Sequence, residues 1–421
     1  MNGATSRIRV RAGRAHAGRW TILGGVAGAI SLALLGDQML YVVLPGQPEV
    51  AGIGVGALGL VLSANRFVRL GVNALGGRLS DQLGRRPMFL LGMALALVST
   101  LGYLVTFTLA PLLAARVVWG VAFALISVGG VSIAMDLSTP GDRARTLGGY
   151  QAAVQGGTLL GLVLSGVLVD LVGYRGTLGI YVPLTALGLV IALLTVPETA
   201  PARRGVPVRA GDDSARGEAG PHTLDPWLLV PAYAEFASFF VSSGVIMSTL
   251  GLMLREVAAA TPGAFVVPVA TLTGIMLASR RLVGMVTAPV AGWAADRTGD
   301  RRSVALVGAG IVLAGFVVLL GGERAFFLVV GGVILTAIGE SVLQPSLAAW
   351  VGDATPPGQR GIMMGGLATA KDLGSALGPV VAYALAATRG LGTTYGLCIA
   401  LMASAMVALA VARPRGRARR R

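Results

Sequence analysis

Apolar runs of ~20 residues recur from one end of this chain to the other, each long enough to cross a ~30 Å hydrocarbon core. The runs are continuously apolar rather than alternating, so they read as helices and not as barrel strands. Of the 421 residues 54% are hydrophobic and 13% charged, and a soluble domain carries about twice that charge fraction. The expected fold is all-α, a polytopic membrane protein.

Helices are expected at about 20–44, 55–76, 88–109, 112–135, 147–169 and 177–196, and then at about 227–254, 266–291, 303–320, 325–351, 362–387 and 394–411. Around them lie a basic arm (1–19), a polar linker rich in proline, glycine and arginine (197–224), and a basic tail (413–421). The two six-helix halves are then 20–196 and 225–412. Short stretches that repeat from one half to the other support this division. Gly77-Arg78-Leu79-Ser80-Asp81-Gln82-Leu83-Gly84-Arg85-Arg86 has a degenerate second copy in Gly292 to Arg302, with Asp296 answering Asp81 and Asp300 standing where the first copy has Arg85. Both copies read as short basic loops joining two membrane helices. Asp136 to Arg143, followed by Gly148, Gly149, Gly157 and Gly161, is likewise echoed by Asp353 to Arg360, followed by Gly365, Gly366, Gly374 and Gly378. Such pairs mark an internal duplication.

A net charge of +15 raises the question of a nucleic-acid partner. Most of the 34 basic residues fall in the arm, the tail and the segments of one membrane side, whereas the other side receives only Arg175, Arg255, Arg324 and Arg389. This asymmetry orients the protein with both termini in the cytoplasm and needs no nucleic acid. The single cysteine, Cys398, lies in an apolar run, and His16 and His222 stand apart in polar segments, so no metal or histidine–cysteine centre is expected. No nucleotide-binding loop is present. The first apolar run is expected to be retained, because the stretch before it is too long and too arginine-rich for a cleavable signal.

The first signature resembles the loop between helices 2 and 3 of the major facilitator superfamily, glycine-x-leucine-small-aspartate-x-x-glycine-arginine-arginine, and the second copy falls between helices 8 and 9, where that family carries it. The resemblance covers nearly the whole chain. It implies a secondary transporter that alternates between two six-helix halves, needs no cofactor, and takes a small-molecule substrate and protons as partners. It also implies a multi-pass protein of the cell membrane, a monomer, and no enzyme. Gly77, Asp81, Gly84, Arg85, Arg86 and Asp296 would then form a conformational latch, with Asp81 docking near the start of helix 11. Arg116-Val-Val-Trp119-Gly120 resembles the helix 4 motif tied to proton coupling in many antiporters, with tryptophan in place of glutamine. The glycine-proline pair that drug–proton antiporters often carry in helix 5 occurs instead in helix 11, as Gly378-Pro379. In the family, helices 5 and 11 belong to the seam between the halves. Gly157 and Gly161, with Gly374 and Gly378, therefore either permit rocking there or simply let helices pack closely.

Ionisable residues inside the membrane cost about 2.5–3.5 kcal/mol each even on the lenient insertion scale, so each needs a partner or water. Asp37, Arg66, Arg69, Arg116, Glu235, Arg280, Arg281, Glu340, Lys371 and Asp372 all fall in apolar runs. Helical rise places Asp37, Arg66 and Arg116 at one level in the outer half, and Glu235, Glu340 and Lys371 nearer the midplane. Two charge clusters are expected, one per half. Asp37 is either a proton acceptor or a static partner of Arg66 or Arg116. Glu235 or Glu340 either takes a proton or a cationic substrate, or pairs with Lys371 or Arg281. Arg281 is the repeat mate of Arg66. Lys371, the one lysine of the chain, could release a proton or grip a carboxylate. The reading is proton-coupled efflux of a small molecule. Its rival is import or exchange of a carboxylated metabolite, which unpaired arginines in the cavity would favour; full pairing would favour a neutral or cationic cargo. A transport-dead sensor is the remaining alternative.

Overall fold

The computed structural model describes residues 3–106, 108–139, 141–199, 229–260, 266–322, 325–355 and 360–412, excluding the side chains of 3–17, 74, 81, 144 and 360–362. The described residues form twelve helices and no strand. These are α1 (Gly3–Val43), α2 (Val55–Leu83), α3 (Arg85–Val105) and α4 (Leu109–Asp136), then one helical stretch, Arg143–Thr195, broken at Gly173 (φ 74°) into α5 (143–172) and α6 (174–195). There follow α7 (Leu229–Ala260), α8 (Val269–Thr298), α9 (Arg301–Leu320), α10 (Phe326–Ala354), α11 (Arg360–Arg389) and α12 (Leu391–Val411). Ten of these stretches are long and apolar enough to cross a membrane. One of the ten, 145–195, extends roughly 76 Å and suffices for two crossings. α11, interrupted by Lys371, Asp372 and a series of glycines, is not among them.

The chain divides into two compact units. One holds 1–201 together with 266–278; the other holds 202–265 and 279–421. In the first unit α1 packs along the α5–α6 stretch, and α2 and α3 pack on α4. Gly157 faces Ser31 and Gly161 faces Leu35, so this glycine pair serves the packing of α5 on α1. The first turns of α8 also belong to this unit. Asp170 of α5 accepts from the Thr271 backbone N–H (2.7 Å) and hydroxyl (2.6 Å), meeting a donor that the first turn of α8 leaves unsatisfied. In the second unit α9 packs on α10 and α12, and α11 packs on α7. A side chain at Gly244 would place its Cβ 2.7 Å from Gly378 Cα, and one at Gly374 would fall closer still to the Phe236 carbonyl. Gly374 and Gly378 therefore bring α7 and α11 into backbone contact. At that crossing α7 widens into a π-helical turn, Phe240–Ile246.

The helix of the first run is longer than expected: α1 is unbroken from Gly3, since the arginine- and alanine-rich stretch Gly3 to Arg19 contains no proline to stop it, while its membrane-length part begins at Gly18. One expectation is corrected: the signature copies are not loops. α2 continues to Leu83 and α3 starts at Arg85, so only Gly84 breaks the helix, at φ 103°. In the second copy α8 continues to Thr298 and α9 starts at Arg301, with Gly299 (φ 66°) and Asp300 between. A left-handed glycine suffices to turn the chain, and the flanking residues keep helical hydrogen bonds. Beyond residue 199 the linker lies outside the described residues, as do the tail, the side chains of Asp81 and His16 and all of His222.

Candidate functional site

Each unit encloses its own charge cluster. In the first, Arg116 is fully buried on α4. Its guanidinium donates to Asp37 Oδ1 of α1 (2.5 Å), and to the Val61 carbonyl (2.9 Å) and Asn65 Oδ1 (2.8 Å) of α2, and also to the Tyr41 hydroxyl (3.1 Å). The Tyr41 hydroxyl in turn donates to the Leu62 carbonyl, and Gln38 donates to the other Asp37 oxygen. Gly120, one turn after Arg116, lets α4 approach the Asn65 backbone: an added Cβ would lie 2.7 Å from that carbonyl. Asp37 pairs with Arg116, one of its two expected partners; Arg66, the other, packs on an aromatic ring. Its guanidinium lies over the Tyr41 ring at 5.1 Å, as that of Arg69 lies over Phe123 at 4.9 Å. Trp119, where the resembled motif has glutamine, is buried beside Phe123.

In the second unit Glu340 of α10 pairs with Arg280 of α8 at 3.0 Å. Neither Arg281 nor Lys371, the expected partners, fills that role. Arg280 also donates to the Thr336 hydroxyl (2.7 Å), and Gln344 donates to the second Glu340 oxygen (2.7 Å). Adjacent positions on a helix diverge by ~100°, so one residue decides which arginine meets α10. Counting back from the Asp81–Asp296 match, Arg280 is the mate of Asn65, and both residues reach the helix that follows by two, α4 or α10.

Glu235 behaves differently. It is 8% exposed on α7, and its Oε2 has no hydrogen-bond partner among the described residues. Leaving a buried acceptor unsatisfied costs ~1–3 kcal/mol, more for a charged group. Lys371 and Glu340 are charged neighbours of Glu235. The Lys371 ammonium rests over the Phe239 ring at 4.7 Å. Asp372, on the same helix, is half-buried and engaged.

The signature region of the first unit is held from outside the signature, by Glu198, which the sequence did not single out, and by Asp136. Glu198, beyond α6, accepts the backbone N–H groups of Arg85 (3.0 Å) and Arg86 (3.3 Å) at the start of α3. Arg85 pairs with Asp136 at 2.9 Å, and Arg86 donates to the Leu193 carbonyl. Gly84 is required twice over: its backbone is one that few side chains adopt, and an added Cβ would lie 2.6 Å from Glu198. In the second unit Asp300 caps α9 within its own turn, accepting from Ser303 N–H (3.1 Å). Arg301 pairs with Asp296 (2.6 Å) and Asp353 (3.3 Å), and Arg302 donates to the carbonyls of Leu409 and Ala410. By role, Arg301 and Arg302 answer Arg85 and Arg86, so Asp300 is an added residue and not a replacement for Arg85.

Two carboxylates of these polar ends are held below the usual range. Asp142, between α4 and α5, is lowered by the Thr139 backbone N–H and then by Arg19, which pairs with it at 2.6 Å. Asp300 is lowered first by the Ser303 hydroxyl and then by the Ser303 N–H.

A duplicated bundle of membrane-length helices, with a charge cluster in each unit, defines the class to which this chain belongs. It matches the Major Facilitator Superfamily over 26–284 and 234–421, and it is a member of that superfamily. Among curated relatives, a puromycin resistance protein of Streptomyces alboniger is 30% identical over 177 residues, 41% of this chain and 34% of the relative. The quinolone resistance protein NorA of Staphylococcus aureus is 26% identical over 141 residues, 34% of this chain and 36% of the relative. The matched stretches thus span about a third of those relatives' length. Among solved structures, a bacterial homologue of the human lysosomal transporter Spinster, inward-facing and occupied, has a TM-score of 0.72 at 15% identity, covering 94% of this chain and 96% of that one. The human organic anion transporter MFSD10 has a TM-score of 0.62 at 22% identity, covering 93% and 99%. At these identities the structures speak for the fold.

Proposed function

We propose that this protein is a proton-coupled exporter of a small organic compound, neutral or cationic, working in the cell membrane with both termini in the cytoplasm. The observation that carries the reading is the contrast between the engaged arginines and the open carboxylate of Glu235. Arg116 and Arg280 are committed to Asp37 and Glu340, and Arg66 lies over Tyr41. An anionic cargo would need a cation released from one of these contacts. Glu235 already presents a buried oxygen with no donor, and it can hold a proton in one state and cargo in the other. In this scheme Asp37–Arg116 and Glu340–Arg280 hold their helices together, while Lys371 tunes the charge near Glu235. Gly77, Asp81 and Asp296 remain with the ends of α2 and α8 as parts of a latch. Resistance proteins among the relatives agree with efflux.

The test is to compare small-molecule profiles of cells and medium, with and without the protein, at two external pH values. A compound retained inside cells lacking the protein, and expelled in a pH-dependent way when it is restored, is the expected outcome. The Glu235→Gln variant should reach the membrane and behave as the deletion. A compound depleted inside such cells and left in the medium would mark an importer and overturn the reading, as would pH-dependent expulsion by Glu235→Gln.

A further inference from the structure

Three buried polar groups on α7 find no hydrogen-bond partner among the described residues: Glu235 Oε2, Ser238 Oγ and Ser242 Oγ. Glu235 is 8% exposed, Ser238 0% and Ser242 1%. Further along the same helix, Ser248 and Thr249 both donate to backbone carbonyls, so the helix does not leave its hydroxyls open as a rule. The three positions are spaced by three and four residues, and helical periodicity brings them within roughly 60° of one another. That face differs from the one on which Phe236, Phe240 and Gly244 meet α11, and from the one on which Tyr233 meets Ser404 of α12. The π-turn begins between the two serines, and such turns are frequent at functional sites.

We infer that this face of α7 is a binding rail for organic cations, with Glu235 receiving an ammonium or guanidinium group and Ser238 and Ser242 meeting polar groups spaced roughly 4.5 and 10.5 Å along the ligand. The inference rests on the proposed transport and narrows its cargo to cations that carry hydroxyl, ether or carbonyl groups. The surrounding charges fit. Glu340 of α10 is taken by Arg280 and Gln344, and Lys371 of α11 is held over Phe239, so Glu235 is the acid open to an incoming positive group. Simple lipophilic cations would use Glu235 alone; hydrogen-bonding ones would use the whole rail.

The experiment reads the site directly and needs no cargo. In full-length protein with Cys398→Ala, Ser238→Cys and Ser242→Cys are exposed in liposomes to cationic trimethylammonioethyl methanethiosulfonate and to anionic sulfonatoethyl methanethiosulfonate. Rates are referred to those of a free thiol. Both cysteines should favour the cation by about tenfold over that reference, the scale on which a charged cleft concentrates its ligand. Glu235→Gln should abolish the preference and Glu235→Asp restore it, in protein that elutes as one species. No labelling at either position, no preference, or preference for the anion would overturn the rail. Failure of export is separable: labelling with the expected preference in a protein that expels nothing leaves the rail standing and removes the proposed function alone.

Discussion

The two units solve the same electrostatic problem with the charges exchanged. In the first, the cation stands on α4 as Arg116, and the acid comes from α1 as Asp37. In the second, the acid stands on α10 as Glu340, and the cation comes from α8 as Arg280. The geometry survived duplication while the chemistry did not. Residues 65 and 280 occupy matching places and reach matching helices, one as a neutral amide and the other as an arginine. The signature region repeats the lesson: α3 is capped from a distance by Glu198, whereas α9 is capped from within by Asp300. What a repeat preserves is the position that must be satisfied, and the satisfying group is free to change.

The largest asymmetry should appear on deleting the two central arginines. Arg116→Ala leaves Asp37 buried without its cation and should cost about 3–5 kcal/mol. Arg280→Ala should cost about 1–3 kcal/mol, since the Glu340 side chain is 18% exposed and keeps Gln344. Denaturation midpoints of the detergent-solubilised variants compare them, and equal losses would mean the clusters are equivalent. The breaking glycines come next. Gly84→Ala should cost about 2–3 kcal/mol, from strain and from displacing Glu198. Gly299→Ala has open space around it and should cost only about 1 kcal/mol. The smallest contrast is between the caps, where Glu198→Ala and Asp300→Ala should each cost about 1 kcal/mol at neutral pH. The Asp300 share depends on pH with a fixed sign. Its folded carboxyl is depressed, so its stabilisation is fully present above the unfolded value of about 3.9 and is lost as pH falls through the folded value. The gap between wild type and Asp300→Asn should therefore hold from pH 7 to about 5 and fade below about 4; a gap that grew on acidification would contradict this cap.

The helices were legible because ~20 apolar residues in a row leave few alternatives in lipid. Their ends were less so. Gly77 to Leu83 carries glycines and charges that suggest a loop, yet every residue is compatible with a helix, and one backbone angle at Gly84 makes the turn. Asp37 and Arg116 were visible as expensive charges at one depth, and the structure brings them together. Tyr41, four residues after Asp37, and Gln344, four after Glu340, lie on the same helix faces and could have been found by that spacing. Arg280 was passed over because the repeat offset pointed to Arg281, and a sequence offset says nothing about which way a helix is rotated. Ser238 and Ser242 gave no signal, since serine in an apolar helix usually bonds its own backbone.

The widened turn of α7 makes this helix a two-part shaft with a slipped thread. Upstream of Phe240 lie Glu235 and the contacts of Phe236 with α11; downstream lie Thr249 against Tyr395 and Met253 against the same tyrosine. The turn holds one residue more than ordinary winding would take over the same rotation, so removing one would restore the α-helix and leave the two parts aimed much as they are. Descendants of this chain could therefore straighten α7 by a single-codon deletion while keeping both the Glu235 face and the Tyr395 contacts in place.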